Sequence, residues 1–169
     1  MAKPYLDSYG YAALFGLVFV EGFGIPAPGE TMIIAGALLA DQGTMTIQWV
    51  LTTAWAGAVL GDNLGYAIGH FAGRRFILRF GDHFGVHAKQ LNRVERFFDR
   101  YGGVVVTLAR FVDGPRQLNG LVAGSIGMTW WRFLLYNAIG ATLWVAIWGG
   151  GVFLFSERIG PLLADHQQL

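Results

Sequence analysis

Two clusters of charge sit inside apolar sequence, each beside a helix-breaking turn. The first is Glu21 followed by Pro26, Pro28, Gly29 and Glu30, between the apolar runs 14–20 and 31–40. The second is Arg110 followed by Asp113, Gly114, Pro115 and Arg116, between the runs 104–109 and 118–126. One cluster is mostly acidic and the other mostly basic. Charge at membrane depth is costly unless it faces a partner or a water-filled cavity. Interrupted hydrophobic segments in corresponding halves of a chain point to a transporter's binding site. Arginine offers a planar fork of donors suited to phosphate oxygens and keeps its proton. Helix starts created by the breaks add backbone donors for an anion. Carboxylates beside them are groups that exchange protons. Glu21, Glu30 and Asp62 are the candidates for that role, and Arg110 and Arg116 are the candidates for anion binding. The same charges can instead form a structural network in which acid and base neutralise each other across the two tips.

The elements that position these residues are helices in a bilayer. More than half of the 169 residues are hydrophobic, mean hydropathy is +0.45, and only 14% are charged, against roughly 25% in soluble domains. The chain holds 13 Phe, 6 Trp and 25 Gly, and both glycine and interfacial aromatics are enriched in membrane proteins. Net charge is only +1, so no attraction to nucleic acid follows. With no Cys there is neither a disulfide framework nor a thiolate metal site. Residues 1–20 are not expected to be a cleaved signal, because Pro4 and Asp7 interrupt them and no small-x-small site precedes Glu21.

Residues 133–155 carry no charge and are long enough to cross the hydrocarbon. Trp144 and Trp148 share one face of that helix. A second span is expected over 47–71. It carries Asp62, and Gly57, Gly61, Gly65, Gly69 and Gly73 recur along it at every fourth position. That spacing makes a smooth stripe for close helix packing. The segments 11–40 and 103–127 are each either a kinked pair that crosses or a hairpin that enters and leaves on one side. Apolar arms of about ten residues favour the re-entrant form, and irregular backbone survives at membrane depth only when buried in protein or facing water.

Between them, residues 74–101 hold seven of the twelve basic residues, opposed by Asp82, Glu95 and Asp99. This loop is expected to be cytoplasmic. Leu91, Val94, Phe97 and Phe98 fit the apolar face of an amphipathic helix on the inner membrane surface, where recognition of anionic head groups is the functional alternative.

Short signals also recur in order. Ala35-Gly36, Met45-Thr46 and Gly57-Ala58 return as Ala123-Gly124, Met128-Thr129 and Gly140-Ala141. One hairpin plus one crossing helix per half would invert the second half relative to the first. The expected fold is therefore an all-α integral membrane protein forming a single domain over 1–169. It has two inverted repeats, about 11–73 and 103–156, each a re-entrant helical hairpin plus a transmembrane helix. A cytoplasmic amphipathic helix over about 74–101 joins them.

The residues resemble the DedA family of bacterial inner-membrane proteins, within the wider VTT-domain group, from about Gly10 to Phe155. The first motif is Glu21 with Pro28-Gly29-Glu30 and Ala35-Gly36-Ala37-Leu38. Gly61-Asp62-Asn63 with Gly65-Tyr66 and Gly69 follows, then Phe98 with Tyr101-Gly102-Gly103. Ala109-Arg110-Phe111 with Gly114, Arg116 and Val122-Ala123-Gly124 is the fourth, and Tyr136-Asn137 with Gly140 and Trp144 the fifth. The chain departs from the family pattern at Asp113, where a proline is usual, and at Glu30, where aspartate is frequent. A final hydrophobic segment common in longer members does not follow Phe155.

The resemblance implies return of undecaprenyl phosphate, the lipid carrier of cell-wall precursors, across the bacterial inner membrane. It also implies dependence on the proton motive force and a need for Glu21, Glu30, Arg110 and Arg116. A lipid phosphate cannot cross hydrocarbon with its charge bare, and Arg110 and Arg116 flank one break where a single head group would fit. The alternatives are a proton-coupled carrier of a small ion or oxyanion, and a broader phospholipid scramblase. Enzyme activity is not expected, because no Ser/His/Asp set or metal cluster falls at the breaks and arginines supply no nucleophile. His70, His83, His87 and His166 form no convincing ligand set, so neither metal nor cofactor is expected. Expected partners are the anionic lipid, protons and membrane lipids, and the Gly-rich faces permit a homodimer. Asp62 has two open roles, a hydrogen bond to a hairpin or the basic loop and a proton relay. Asp113 either offsets an arginine or alters selectivity. Asn119 and Asn137 are expected to make helix–helix hydrogen bonds.

Overall fold

The computed structural model describes residues 3–73, 88–112 and 115–156. These are helical, with no strand among the described residues. The helices are α1 (Lys3–Gly22), α2 (Gly29–Asp41), α3 (Ile47–Ile68), α4 (Ala88–Ala109), α5 (Pro115–Ser125) and α6 (Trp130–Val145). α3 continues through a wide π-helical turn at Gly69–Gly73, and α6 through another at Ala146–Gly150. The helical run Trp130–Ser156 is 27 residues long and apolar enough to cross a membrane. It takes in the whole span expected over 133–155. α3 is less apolar than that run because it carries Asp62, Asn63 and its glycines, which it turns toward other helices.

Each half is built alike. α1 and α2 form a hairpin whose open end lies at the start of α3, where Tyr11 Oη accepts from the Thr46 N–H at 2.8 Å. Its tip lies beside the middle of α3, where the backbone of Gly22 meets Gly61 and Asp62. α1 therefore runs parallel to α3. α4 runs parallel to α6 in the same way, with Gly103 against Tyr136 and Thr107 against Gly140. α3 and α6 are antiparallel. Trp55 Nε1 donates to Thr142 Oγ1 at 3.0 Å near one end, and Trp130 Nε1 donates to Asn63 Oδ1 at 2.9 Å nearer the other.

The return arms α2 and α5 end on glycines at φ +72° (Gly43) and +77° (Gly127). That left-handed conformation is open to glycine at no steric cost and satisfies the last helical carbonyls. Met45-Thr46 and Met128-Thr129 then lead into α3 and α6, so the repeated sequence signals mark equivalent turns.

The glycine stripe of α3 is used along its length. Gly57 and Gly61 lie under the α1 backbone at Phe15 and Phe19, and Gly69 and Gly73 lie under Leu121 and Ser125 of α5. In the other half, Gly149 lies under Ile33 of α2. Each return arm thus seats on a wide turn of the opposite long helix, and at Gly69 a Cβ would run into the Leu121 backbone.

The segment expected as a separate amphipathic linker and the first arm of the second hairpin are one helix. α4 passes unbroken through Tyr101-Gly102-Gly103, because these glycines serve close approach, Gly103 against the Tyr136 ring, and take no left-handed turn. The first part of the basic segment, 74–87, and the expected apolar positions Leu91, Val94 and Phe97 lie outside the described residues or side chains.

Burial is arranged for a non-aqueous surround. One apolar core joins Leu14, Val18, Ile33, Val50, Ala58 and Trp144, and a smaller one joins Tyr66, Val106 and Phe133. Glu21, Asp62, Arg110, Arg116, Asn119 and Asn137 are also buried, while Trp49, Leu60, Phe71, Trp131, Leu135, Ile147 and Phe155 are exposed. Such apolar exterior is far more than a monomer in water carries, and it suits hydrocarbon.

Candidate functional site

The two hairpin tips meet at the centre of the bundle. Glu21 is in the last turn of α1, and its Oε2 accepts the Gly29 N–H at 3.1 Å, across the break. Its carboxylate thereby shares this first N–H of α2 with the Ala27 carbonyl at 2.9 Å. Pro26 and Pro28 lie between Glu21 and Gly29 and bring no backbone donor to the tip. A Cβ at Gly29 would displace Glu21 Oε2 from this position. Glu30 follows in the first turn of α2, where the helix dipole favours negative charge.

Arg116 comes from the other tip. Pro115 opens α5, where a proline loses no hydrogen bond, and Arg116 follows it into the bundle. Its guanidinium bridges two acids, with Nη2 paired to Glu21 Oε1 and Nη1 donating to Glu30 Oε1 at 2.9 Å. It also lies 5.3 Å from the Trp144 ring centroid, a cation–π arrangement. The Trp144 indole N–H donates to Glu30 Oε1 at 3.4 Å. One arginine is therefore held by two carboxylates and an aromatic face from three different helices.

Arg110 is held separately. Its Nη2 pairs with Asp62 Oδ2 and donates to Asn137 Oδ1 at 2.7 Å. Asn137 in turn donates to the Val59 carbonyl at 3.4 Å. Arg110 Nε has no hydrogen-bond partner among the described residues. Asn119 Nδ2 donates to the Val106 carbonyl at 2.9 Å, fastening α5 to α4. Asn119 and Asn137 thus make the expected interhelical bonds, and Asn137 also belongs to the site.

The two networks share one enclosed cavity, lined by Glu21, Asp62, Arg110, Arg116 and Trp144. It measures about 10 Å³, room for one water at most. Glu21 and Asp62 face the two arginines across it, and Glu30 reaches Arg116 from outside its lining. Glu30 is the outermost member, with a third of its side chain exposed, whereas Glu21, Asp62, Arg110 and Arg116 are all under 9% exposed.

The structure brings Glu21, Glu30, Asp62, Arg110 and Arg116 together and sets Pro26, Pro28, Gly29 and Pro115 at the breaks. Asp113 and Gly114 lie outside the described residues, as do His83, His87 and His166. The arginines do not flank a phosphate-sized space; each is in its own ion pair. Trp144 was legible as part of a helix face and of the fifth motif, with no role at the charge cluster assigned to it. An asparagine inside an uncharged span was the sequence signal for Asn137. Among the described residues no cluster of three or more His, Asp or Glu has metal-ligand geometry.

The VTT domain profile matches residues 25–153. An uncharacterized membrane protein of Synechocystis is 40% identical over 139 residues, which is 82% of this chain and 64% of that protein. The chain thus spans a little under two thirds of that relative's length. An uncharacterized membrane protein of Mycobacterium leprae is 35% identical over 156 residues, 90% of this chain and 68% of its own length. Protein DedA of Escherichia coli is 29% identical over 164 residues, 94% of this chain and 74% of its own. No solved structure matches the chain.

Proposed function

Because the chain belongs to the VTT-domain family of membrane proteins, we propose that it moves undecaprenyl phosphate across the bacterial inner membrane, coupled to proton uptake. The observation that carries this reading is Arg116, buried between Glu21 and Glu30 where the two hairpin tips meet. A guanidinium so placed is withheld from any other anion while both carboxylates are charged. Protonation of either acid weakens its hold. The freed fork then takes phosphate oxygens.

The enclosed cavity has room for no phosphate, so it corresponds to a closed state of the cycle. Opening requires the tips to part. In this reading the hairpins act as re-entrant gates on opposite faces and the two halves form an inverted repeat, which the antiparallel course of α3 and α6 supports. The basic segment is cytoplasmic and the protein is multi-pass. Asp62 and Arg110 form the inner pair of the relay, oriented by Asn137. The polyprenyl tail stays in lipid throughout, and no covalent step is involved.

The test is movement of undecaprenyl phosphate in liposomes, with and without an imposed pH gradient. Wild type is run beside Arg116→Lys, which keeps the charge and loses the fork, and Glu30→Gln, with size-exclusion profiles as the check of folding. Gradient-dependent movement lost in both folded variants supports the reading. Movement that survives both would make the cluster structural. A folded wild type that moves phosphate or another small oxyanion, and no lipid, would point to the small-ion carrier.

A further inference from the structure

α6 brings no charge to the cluster, yet it supplies a partner to each arginine. Asn137 accepts from Arg110 at 2.7 Å, and the Trp144 ring centroid lies 5.3 Å from the Arg116 guanidinium. The two residues are two helical turns apart and share one face. Trp144 makes contacts of two kinds at once. Its face meets Arg116, and its N–H donates to Glu30 Oε1 at 3.4 Å. That same oxygen accepts Arg116 Nη1 at 2.9 Å. Trp144 therefore touches both members of the outer ion pair, which come from the two hairpins, Glu30 from α2 and Arg116 from α5. Its place in the core with Leu14, Val18 and Ile33 accounts for its bulk. The two polar contacts act on the site.

We propose that Trp144 is the positioning residue for Arg116. While Glu30 is charged, the indole N–H is a second donor to Oε1 and keeps the outer pair closed. A carboxylate loses its hold on a guanidinium when it takes a proton. An indole does not titrate, and its ring face attracts the cation throughout. Trp144 thus keeps Arg116 at the junction of the tips after Glu30 has let go. α6 is the helix of bilayer-crossing length, so this contact stands on the crossing helix and not on either hairpin. The role rests on Arg116 being the group that meets the anion in the transport reading.

Two measurements on the full chain in detergent test this without transport. In the first, the six Trp are labelled with 15N and their indole N–H signals are compared between wild type and Glu30→Gln. One signal should move upfield, because its acceptor has lost its charge. No movement of any indole signal overturns the proposal with Trp144 itself unchanged. In the second, phenylglyoxal adducts on the arginines are timed by mass spectrometry. Trp144→Phe keeps an aromatic face and loses the N–H, and Arg116 should react about fivefold faster. Arg110 lines the same cavity but is held by Asp62 and Asn137, so its rate should stay as it was. Both arginines reacting faster together would mean that Trp144 only fills space. In the Glu30→Gln background the same substitution should change Arg116 by less than about twofold, and additive effects overturn the proposal. In liposomes, the ratio of gradient-driven to gradient-free movement of undecaprenyl phosphate should fall about fivefold in Trp144→Phe, since the pair then opens without a proton. An unchanged ratio overturns the proposal. A wild type that moves no lipid overturns the transport reading instead, and the indole and adduct measurements still decide whether Trp144 holds the pair.

Discussion

Glu21 and Arg116 are 95 residues apart in sequence and form a buried ion pair at the junction of the two hairpin tips. Removing one partner of such a pair leaves an uncompensated charge, which costs about 3–5 kcal/mol. Arg116→Ala is therefore expected to lower unfolding stability in detergent by about that amount. The double variant Glu21→Gln with Arg116→Met should recover most of it, because replacing both charges by neutral groups of similar volume is close to neutral. Arg116→Ala unfolding within about 1 kcal/mol of wild type would mean that the pair is solvated.

Glu30 and Asp62 are acids of the same cluster with different surroundings, and their neutral variants separate stability from transport. Glu30 keeps a third of its side chain exposed, so Glu30→Gln is expected to cost about 1 kcal/mol or less while removing a proton-exchanging group. Asp62 is 2% exposed and pairs with Arg110. Asp62→Asn keeps an acceptor oxygen but removes the charge that Arg110 pairs with, and is expected to cost several times more, about 3–5 kcal/mol. Thermal unfolding of the two variants side by side checks this, and a smaller loss for Asp62→Asn than for Glu30→Gln contradicts the burial order.

Much of this was legible in the sequence because it depends on local rules. Pro26, Pro28 and Pro115 each keep a helix from running on through them. The uncharged run 133–155 is long enough to span on composition alone, and glycines at every fourth position of α3 share one face. A network of acid and base across the two tips was legible as an alternative, but which arginine meets which acid was not. Arg110 meets Asp62 and Arg116 meets Glu21 and Glu30 only because α5 crosses α3 and the two tips converge, and hydropathy carries no trace of that crossing. Arg110 and Arg116 therefore read either as one anion clamp or as parts of one network, whereas Arg110 holds Asp62 and Arg116 holds Glu21 and Glu30. Gly102-Gly103 read as the end of a linker because glycine marks both turns and close contacts. Only the Tyr136 ring against Gly103 tells the two apart.

The same distinction gives a prediction for the glycines. A Cβ at Gly120 would run into the Asp62 carbonyl of the facing helix backbone. Backbone cannot swing aside as a side chain does, so Gly120→Ala has to separate α5 from α3 and carry Arg116 with it. A loss of about 1–3 kcal/mol is expected, together with a weaker Arg116–Glu30 contact. At Gly16 a Cβ meets nothing within 4 Å, and Gly16→Ala is expected to gain up to about 1 kcal/mol from helix propensity. Equal melting temperatures for the two variants would contradict the close packing of α3 on α5.

The antiparallel arrangement of α3 and α6 predicts where their starts emerge. Thr44 and Thr129 are both exposed in the turns that lead into these helices, and α1 and α4 run parallel to the helix they precede. In an inverted pair the two turns face opposite sides of the membrane. With the basic segment cytoplasmic, Thr129 lies on the cytoplasmic side and Thr44 on the periplasmic side. The chain has no Cys, so single substitutions label without background. Thr129 makes no side-chain capping bond, and its replacement should cost little. A membrane-impermeant maleimide is expected to label Thr44→Cys in intact spheroplasts and Thr129→Cys only after the membrane is opened. Labelling of both from one side would rule out inverted halves. The hairpins would then open to the same face, and a lipid phosphate would have no alternating route between the leaflets.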